Sequence, residues 1–282
     1  MTMNAEELRT WVGRSQTEHD LITAAPLRML RATLDLPDDG AALDVPALWH
    51  WLYFLTSARQ SELGEDGHPQ RGGFLPPVPL PRRMWAGGQL EFFDSLKVGD
   101  AVSRTSTIDD VTLKSGRTGD LCFVKVRHEV SSARGLALRE FHDIVYRPNP
   151  QPGAATPAYE AAPVDAQWTE TVTPDDVLLF RYSALTFNGH RIHYDRRYVT
   201  QVEGYPGLIV HGPLMATLLA GLGTRMNAGR QLATFSFRAI KPVFDLHAFS
   251  VCAKPEGANA ATLWIRDHEG HANMRATISF RP

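Results

Sequence analysis

The chain has 282 residues, of which 43% are hydrophobic and 21% are charged, as is usual for a globular enzyme. This length suits two modest domains or one large domain, and either can bury a sizeable core. The formal net charge is −2 at pH 7, which gives no electrostatic reason to expect a nucleic acid or an anionic membrane surface as a partner.

The two cysteines, Cys122 and Cys252, lie far apart in apolar, strand-like runs. This pattern argues against a disulfide framework and favours a reducing compartment. The N-terminus is polar and acidic, whereas a signal peptide is basic and then apolar, and no apolar run is long enough to span a membrane. We therefore expect a cytoplasmic protein with no membrane partner.

In chain order, the first predicted helix is the apolar stretch Pro46–Ser61. Three predicted strands follow, rich in β-branched and aromatic residues: Ala101–Leu113, Asp120–Ser131 and Gly135–Tyr146. The segment Tyr146–Gln167 is rich in Pro and Ala and lacks any period, which indicates a linker. A second predicted helix, Pro213–Met226, has Pro at the favoured first position. Four predicted strands end the chain: Gln231–Ile240, Ala248–Lys254, Ala261–Asp267 and Asn273–Phe280.

The two halves repeat one plan, a helix followed by antiparallel strands, without a residue-by-residue repeat. A sheet wrapped round a long helix buries the apolar faces of both. We therefore predict an α+β fold with two such units, residues 1–147 and 167–282, joined by a linker over residues 148–166. Pairing of the units would protect strand edges and create a cleft between the halves.

The densest group of polar residues lies in ALTFNGHRIHYDRRYVTQVEGYPGLIVHGPL, residues 184–214. It contains His190, His193 and His211, with Asn188 upstream and the turn Gly212-Pro213 downstream. Each histidine alone could simply bond a buried loop, but the combination indicates a catalytic site. The pair His190-x-x-His193 could also bind a metal, yet no Cys or acidic third ligand follows at a recognised interval, so we expect no metal.

The segment YSALTFNGHRIHYDRRYVTQVEGYPGLIVHGPLMATLL resembles the R-specific enoyl-CoA hydratases of the MaoC-like, hotdog-fold group. Their signature is roughly S-G-D-x-N-P-I-H-x-D followed by a Gly-rich I-x-H-G turn. The T-F-N-x-H-R-I-H-Y-D form, with LPRRMWAGGQLEFFDSLKVGD at residues 80–100, is similar to the branch that has a fatty-acid-synthase-type dehydratase N-terminal half. The resemblance implies a double hotdog, in which two antiparallel sheets each wrap round a long helix. The first half lacks its own copy of the T-F-N-x-H-R-I-H motif, so we expect it to hold no catalytic centre and to contribute the acyl pocket.

The resemblance places Asn188 at the family's catalytic aspartate and His193 at its catalytic histidine. Adding water to an enoyl thioester needs a base for the water, donors for the thioester oxygen and an acid for the α carbon. His193 is the expected acid/base, because an imidazole pKa near 6.5 allows proton transfer in both directions near neutrality. The Asn188 amide cannot take that proton but can orient a water, which favours a one-histidine scheme.

The turn before the second predicted helix is the expected oxyanion site. Pro213 has no N–H, so the backbone N–H of Gly212 or His211 is expected to meet the thioester oxygen at the positive end of the helix. We expect the side chains of His190, Asp195 and His211 to hold the loop in place.

Arginines are the expected partners of charged substrate groups, because a second carboxylate in a closed tunnel requires a cation. Five residues are candidates for lining the acyl site: Arg82, Arg83, Trp85, Arg191 and Arg196. Two more, Arg238 and Lys241, are candidates for contacts to the CoA phosphates. For the Arg82-Arg83 pair a solvated basic turn is the alternative, and for Arg238 and Lys241 an exposed strand face.

The resemblance implies a hydro-lyase that adds water to a short branched or dicarboxylic enoyl-CoA, such as mesaconyl-C4-CoA or itaconyl-CoA, to give citramalyl-CoA. No cofactor is expected, since CoA is part of the substrate. Three alternatives stay open: a 3-hydroxyacyl-thioester dehydratase of fatty-acid synthesis, a thioesterase driven by Asp195, and a non-catalytic acyl-CoA-binding protein. The sequence does not decide whether the protein forms a homo-oligomer.

Overall fold

The computed structural model describes residues 5–37, 43–70, 72–116, 119–149 and 159–282. Its helices are α1 (Ala5–Arg9), α2 (Ala24–Thr33), α3 (Asp176–Leu185), α4 (Arg196–Gln201) and α5 (Gly212–Met226). Its strands are β1 (Ser15–Leu21), β2 (Arg82–Phe92), β3 (Ala101–Gly116), β4 (Gly119–Ser132), β5 (Gly135–Arg147), β6 (Trp168–Val172), β7 (Leu232–Ala239), β8 (Phe249–Pro255), β9 (Ala260–Arg266) and β10 (Ala272–Phe280). Three 3₁₀ turns cover Trp49–Leu52, Gln60–Glu62 and Arg191–His193.

The strands form one sheet in the order β1-β3-β4-β5-β2-β7-β10-β9-β8-β6, and the paired strands are antiparallel. The order β1-β3-β4-β5-β2 of the first half matches β6-β8-β9-β10-β7 of the second, element for element. Strands β2 and β7 join the halves, with Gly87 opposite Arg238 and Glu91 opposite Thr234. The two sheets expected from the sequence are therefore the two halves of one continuous sheet, and the predicted α+β class is confirmed.

The seven predicted strands are confirmed as β3, β4, β5, β7, β8, β9 and β10. The sequence patterns did not predict β1, β2 and β6. Strand β2 was missed because glycine is depleted in strands. Here glycine is needed, since a Cβ on Gly87 would lie 2.6 Å from the carbonyl oxygen of Phe237, and one on Gly88 would lie 2.9 Å from that of Phe141. The two glycines therefore let β2 fit between β5 and β7.

Helix α5 confirms the helix predicted at Pro213–Met226 and packs against the sheet of the second half. Eight of its fifteen residues are buried. The helix comes close to the sheet at Gly223, where a Cβ would lie 3.0 Å from Cδ1 of Ile278. The same core cluster includes Leu90 and Leu138 from the first half, so the two halves share one hydrophobic core.

The prediction of a helix over Pro46–Ser61 is wrong, because the chain there forms a 3₁₀ turn at Trp49–Leu52 and begins a second at Gln60. Leu48 and Phe54 adopt φ of 67° and 54°, in the left-handed region that a helix cannot contain. Between them, His50 Nε2 and Trp51 Nε1 each lie 2.9 Å from a carboxylate oxygen of Glu140. Burial alone would raise the pKa of Glu140, but its histidine neighbours hold this pKa well below the usual range. The hydrogen bonds from His50 and Trp51 to the buried carboxylate of Glu140 therefore hold the 3₁₀ turn in place.

The first half therefore lacks a counterpart of α5 among its described residues. Its ten-residue helix α2 instead contributes Leu27 and Leu30 to the shared core. The predicted division at residues 147 and 167 falls between β5 and β6, and it stays a prediction because the halves share a sheet and a core. Part of the predicted linker, residues 150–158, lies outside the described residues.

Both cysteines, Cys122 and Cys252, are buried and free, which agrees with the predicted lack of a disulfide. Within the described ranges, every helix is too short or too polar to cross a membrane.

Candidate active site

The loop after α3 holds Asn188 in a tight turn. Phe187 adopts a positive φ of 49°, which reverses the chain at the helix end. The backbone N–H of Asn188 then donates to the carbonyl of Ser183 at 2.8 Å, and its side-chain Oδ1 accepts from the backbone N–H of His190 at 3.0 Å. The turn uses the amide oxygen of Asn188, so the amide NH₂ is the group that can hold a water.

The imidazole of His193 is oriented by the backbone that precedes α5. Its Nδ1 lies 2.7 Å from the carbonyl oxygen of Ile209. Because a carbonyl can only accept, Nδ1 carries the hydrogen and Nε2 keeps its lone pair. The side chain is buried, and burial lowers the pKa of His193 from 6.5 to about 4. At neutral pH the ring is therefore an uncharged base.

Two further imidazoles pack against His193. The ring of His211 is fully buried, stacks on His193 at 3.8 Å and binds Ser183 Oγ through Nε2 at 2.8 Å. The ring of His190 stands nearly perpendicular to His193, with centroids 5.5 Å apart. Burial lowers the pKa of His190 to about 2 and holds that of His211 well below its usual value. Both rings are therefore neutral at pH 7 and suited to positioning His193.

The N-terminus of α5 lies next to this stack. The helix begins at Gly212, with His211 as the N-cap residue and Pro213 in the first turn. The first N–H groups of a helix have no intrahelical acceptor and lie at the positive end of its dipole. A Cβ on Gly212 would meet no atom within 4 Å, so there is open space in front of this residue. The backbone N–H of Gly212 remains the predicted oxyanion donor.

Asp195 stabilises the loop through two sets of contacts. Its carboxylate accepts from the backbone N–H of Tyr198 at 2.9 Å and caps α4. It also accepts from Nη2 and Nε of Arg191, at 2.8 and 3.0 Å, and the Arg191 guanidinium lies over the Tyr198 ring. Arg196 forms ion pairs with Asp176 and Asp245. These two predicted substrate arginines are thus already paired with carboxylates.

The predicted residues at the start of β2 differ in their surroundings. Arg82 reaches into the second half, donating to the Tyr205 hydroxyl at 3.2 Å and lying 3.6 Å from Glu203. Trp85 packs against the ring of His142 at 4.0 Å and donates through Nε1 to a backbone carbonyl. Arg83 is half-buried, and its guanidinium forms no hydrogen bond or ion pair with a described residue. Burial is the main cause of the low pKa of His190, and the charge of Arg83 acts in the same direction.

The two residues predicted to meet CoA phosphates lie on or just after β7. The Lys241 ammonium binds Asp267 at 2.7 Å and Glu269 at 2.9 Å, and the side chain is only 10% exposed. Two carboxylates already neutralise its charge. Arg238 is exposed, so its guanidinium is the more accessible of the two predicted phosphate contacts.

A loop of the first half, residues 64–70, packs onto the catalytic loop, a contact that the sequence did not predict. The backbone N–H of Arg191 donates to the carbonyl of Asp66 at 2.9 Å. A Cβ on Gly67 would overlap the carbonyl oxygen of Gly189, so the two backbones touch. The ring of His68 lies 4.0 Å from that of His190. The available sequence signal was the run E-D-G-H-P-Q-R-G-G, just upstream of the family-like segment at residues 80–100.

Two groups of side chains have spacings that a metal ion could use. Ligand atoms lie within 4.8 Å of one another in Asp66, His68 and His190, and likewise in Asp267, Glu269 and His271. In the first group the carboxylate accepts hydrogen bonds from His68, and in the second both carboxylates bind Lys241. Independence from metals and cofactors stays a prediction.

Comparison with known proteins agrees with this geometry. A family model described as hydroxyacyl-thioester dehydratase type 2 matches residues 48–245. The chain is 46% identical over 281 residues to the mesaconyl-C(4)-CoA hydratase of Chloroflexus aurantiacus, covering 98% of this chain and 99% of that protein. It is 26% identical over 278 residues to the mitochondrial hydroxyacyl-thioester dehydratase type 2 of Schizosaccharomyces pombe, covering 87% and 91% of the two chains.

Among solved structures, a MaoC-like dehydratase from Phytophthora capsici superposes with a TM-score of 0.71 at 12% identity, covering 99% of each chain. This likeness shows the MaoC-like hotdog fold. The family match and the 46% identical relative cover both halves and the catalytic loop. The chain therefore belongs to the hydroxyacyl-thioester dehydratase type 2 family and is a hydro-lyase.

Proposed function

We propose that this protein adds water to a short enoyl-CoA that carries a second carboxylate, of the kind that mesaconyl-C4-CoA represents. The observation that carries the chemistry is the free Nε2 of the buried His193 beside the N-terminus of α5. The 46% identity to a mesaconyl-C(4)-CoA hydratase supports the substrate class.

In the proposed reaction, the Asn188 amide NH₂ holds the attacking water. His193 Nε2 takes a proton from this water as its oxygen bonds to the β carbon. Negative charge then moves to the thioester oxygen, which faces the N–H of Gly212, and oxyanion donors of this kind contribute roughly 3–4 kcal/mol to catalysis. Protonation of the α carbon completes the hydration and gives citramalyl-CoA from mesaconyl-C4-CoA.

The carboxylate of the substrate needs a cation, and Arg83 is the one arginine among the four predicted to line the acyl site that forms no ion pair with a described residue. In mesaconyl-C4-CoA the free carboxylate is attached to the β carbon, which receives the hydroxyl group, so its cation must lie near the catalytic imidazole. The charge of Arg83 contributes to the low pKa of His190, whose ring packs against that of His193, and Arg83 has no carboxylate partner in the described part of the chain. Arg191 and Arg196, in contrast, are already paired. We assign the substrate carboxylate to Arg83.

A hydration assay across a substrate panel tests the proposal. Mesaconyl-C4-CoA, crotonyl-CoA and a ten-carbon 2-enoyl-CoA are each mixed with the protein, and the loss of conjugated-thioester absorbance is followed. We expect the highest kcat/KM for mesaconyl-C4-CoA. Removing the partner of a buried charge costs about 3–5 kcal/mol, so Arg83→Leu should lose about a hundredfold or more in kcat/KM on this substrate and little on crotonyl-CoA. The matched control is Arg197→Leu, an exposed arginine whose guanidinium bonds Gln201, which should change neither value.

The main rival is the dehydratase of fatty-acyl thioesters, which runs the same chemistry in reverse and is supported by the family description and the fission-yeast relative. It predicts a preference for the ten-carbon substrate and equal losses on all substrates in Arg83→Leu. A thioesterase would need a free carboxylate to activate water, and Asp195 is engaged by the α4 cap and by Arg191. Release of free CoA, detected with a thiol reagent, would support that alternative.

A further inference from the structure

The loop of residues 64–70 brings an aspartate and a histidine to the catalytic loop as a bonded pair. The carboxylate of Asp66 lies 3.2 Å from Nδ1 of His68 and accepts the backbone N–H of the same residue at 3.0 Å. Burial alone would raise the pKa of Asp66, but the bonds from His68 outweigh burial and hold this pKa below its usual range. Asp66 is therefore ionised at neutral pH. An ionised carboxylate at Nδ1 fixes the hydrogen there and turns Nε2 into the atom that exchanges protons.

The pair lies close to the catalytic imidazole. The ring centroids of His68 and His190 are 4.0 Å apart, and those of His190 and His193 are 5.5 Å apart. The charge of His68 acts on the pKa of both His190 and His193. The charged and titratable groups that interact with His68 are Asp66 on its own loop and His190 and His193 on the catalytic loop. Arg83 on β2 acts on His190. The side chain of His68 is 29% exposed, so solvent can return a proton to it.

Hydration takes one proton from water and delivers one proton to the α carbon. His193 alone could carry out both transfers in turn, whereas a second acid/base group would let each transfer use its own side chain. His193 suits the first transfer. Asn188 stands where the resembled family has an aspartate and cannot titrate, while Asp195 is bound to Arg191. Burial lowers the pKa of both His190 and His211, so neither carries the acidic imidazolium proton at neutral pH.

We propose that the Asp66–His68 pair, supplied by the first half of the chain, is the second acid/base group of the active site and protonates the α carbon. This inference rests on the proposed hydratase function and deepens it. The first half, expected to contribute only the acyl pocket, then supplies a reacting group.

Exchange of protons with solvent returns both histidines to their starting protonation states. A proton of the attacking water goes to His193 Nε2, the oxygen forms the bond to the β carbon, and the π electrons of the double bond move toward the thioester oxygen. His68 in its imidazolium form then gives the Nε2 proton to the α carbon as the carbonyl re-forms. His193 loses its proton to solvent and His68 gains one, which restores the starting state. Asp66 stabilises the imidazolium throughout.

The test compares kcat, KM and pH profiles of His68→Gln, Asp66→Asn and wild-type protein, with crotonyl-CoA and mesaconyl-C4-CoA as substrates. General acid catalysis supplies about 10²–10⁴-fold in rate, so His68→Gln should lose at least about a hundredfold in kcat with KM changed less than about threefold. It should also lose one limb of the bell-shaped pH profile. Asp66→Asn should lose part of the rate. The matched control is His247→Gln, an exposed histidine stacked on His268, which should behave as wild type.

Chemical rescue separates proton transfer from a merely structural role. His68→Ala leaves a partly exposed space beside Asp66, so added imidazole should restore kcat at least about tenfold over the unrescued variant. A lower kcat with an unchanged pH profile and no rescue would mean that the pair only positions the loop, and would overturn the proposal. Near-native kcat in His68→Gln would overturn it as well. Failure of the wild-type protein on every enoyl-CoA would instead overturn the proposed function, and the inference with it.

Discussion

The imidazole rings of His193 and His211 lie stacked, with centroids 3.8 Å apart and planes inclined by 17°. Burial is the main cause that lowers the pKa of both, to about 4 for His193 and well below the usual value for His211. Two stacked, buried imidazolium ions would repel each other in a medium that does not solvate them. The native protein therefore holds this pair neutral.

The buried histidines should make the fold sensitive to mild acid. An unfolded histidine has a pKa near 6.5, so below this pH the unfolded chain binds more protons than the native protein, and the free energy of unfolding falls as pH falls. At pH 5 each fully neutral buried imidazole costs on the order of 2 kcal/mol. We expect Tm to decrease clearly between pH 7 and pH 5 in thermal unfolding experiments. The control is His247→Gln, which should show the same decrease in Tm. A Tm that stays constant between pH 7 and pH 5 would contradict the conclusion that the buried histidines are neutral in the native protein.

The oxyanion role of Gly212 can be tested by removing its N–H alone. Proline is favoured at the first position of a helix, and His211 before it has φ −59° and ψ 130°, the conformation that a residue preceding proline adopts. Gly212→Pro should therefore fold, although with a lower Tm, because residue 212 also precedes Pro213 and the helical region is disfavoured before proline. Loss of an oxyanion donor lowers kcat by about 10²–10³-fold, and we expect this loss in steady-state hydration assays.

Gly212→Ala is the matched control, because it keeps the N–H and its Cβ meets no protein atom within 4 Å. If Gly212→Pro and Gly212→Ala show the same kcat, the thioester oxygen is bound elsewhere.

Asn188 should act as a donor that orients water. Its Oδ1 is held by the backbone of His190, so an aspartate at this position keeps the turn but replaces the amide NH₂ by a carboxylate oxygen. Asn188→Ala should lose both functions and most of the kcat, whereas Asn188→Asp, which restores the group of the resembled family, should keep a measurable part of it. Equal turnover by Asn188→Ala and wild type would remove Asn188 from the site.

The sequence was most informative where residues act locally. Short-range signals in the sequence predicted most of the strands and one helix. Runs of β-branched residues between turn residues predicted strands β3–β5 and β7–β10, and a Pro at the helix start predicted α5. The catalytic loop could be predicted because its polar residues are contiguous. The helix predicted at Pro46–Ser61 was wrong because an apolar composition is also compatible with a helix. The carboxylate of Glu140, which binds His50 and Trp51 and holds the turn, is about ninety residues away in the sequence.

The contacts of the 64–70 loop could not be predicted either, because they also join residues that are distant in the sequence. The run E-D-G-H-P-Q-R-G-G indicates a loop, but it does not show that Asp66 and His68 meet His190 and Arg191, since that contact depends on the pairing of β2 with β7. The same holds for Arg83. Its lack of a partner becomes visible only once Arg82, Arg191 and Arg196 are seen with theirs.

The shared sheet predicts that the second half cannot work alone. In a fragment of residues 166–282, β7 loses its partner β2, and the core residues Phe235 and Phe237 lose the cover of the first half. The backbone N–H of Arg191 also loses the carbonyl of Asp66. We expect the fragment to be insoluble or inactive when expressed alone, and to regain activity when it is coexpressed with residues 1–165. A soluble fragment with full activity would contradict this dependence.

The most direct test of the account is the turnover of His193→Gln on mesaconyl-C4-CoA, measured beside wild type as the loss of conjugated-thioester absorbance. Glutamine can hydrogen-bond but cannot carry a proton between water and product. The account predicts that kcat falls by about 10²–10⁴-fold while KM changes little, with a folded variant shown by an intact thermal transition. Turnover near the wild-type value in the folded His193→Gln protein would contradict the central claim that the buried imidazole of His193 is the base.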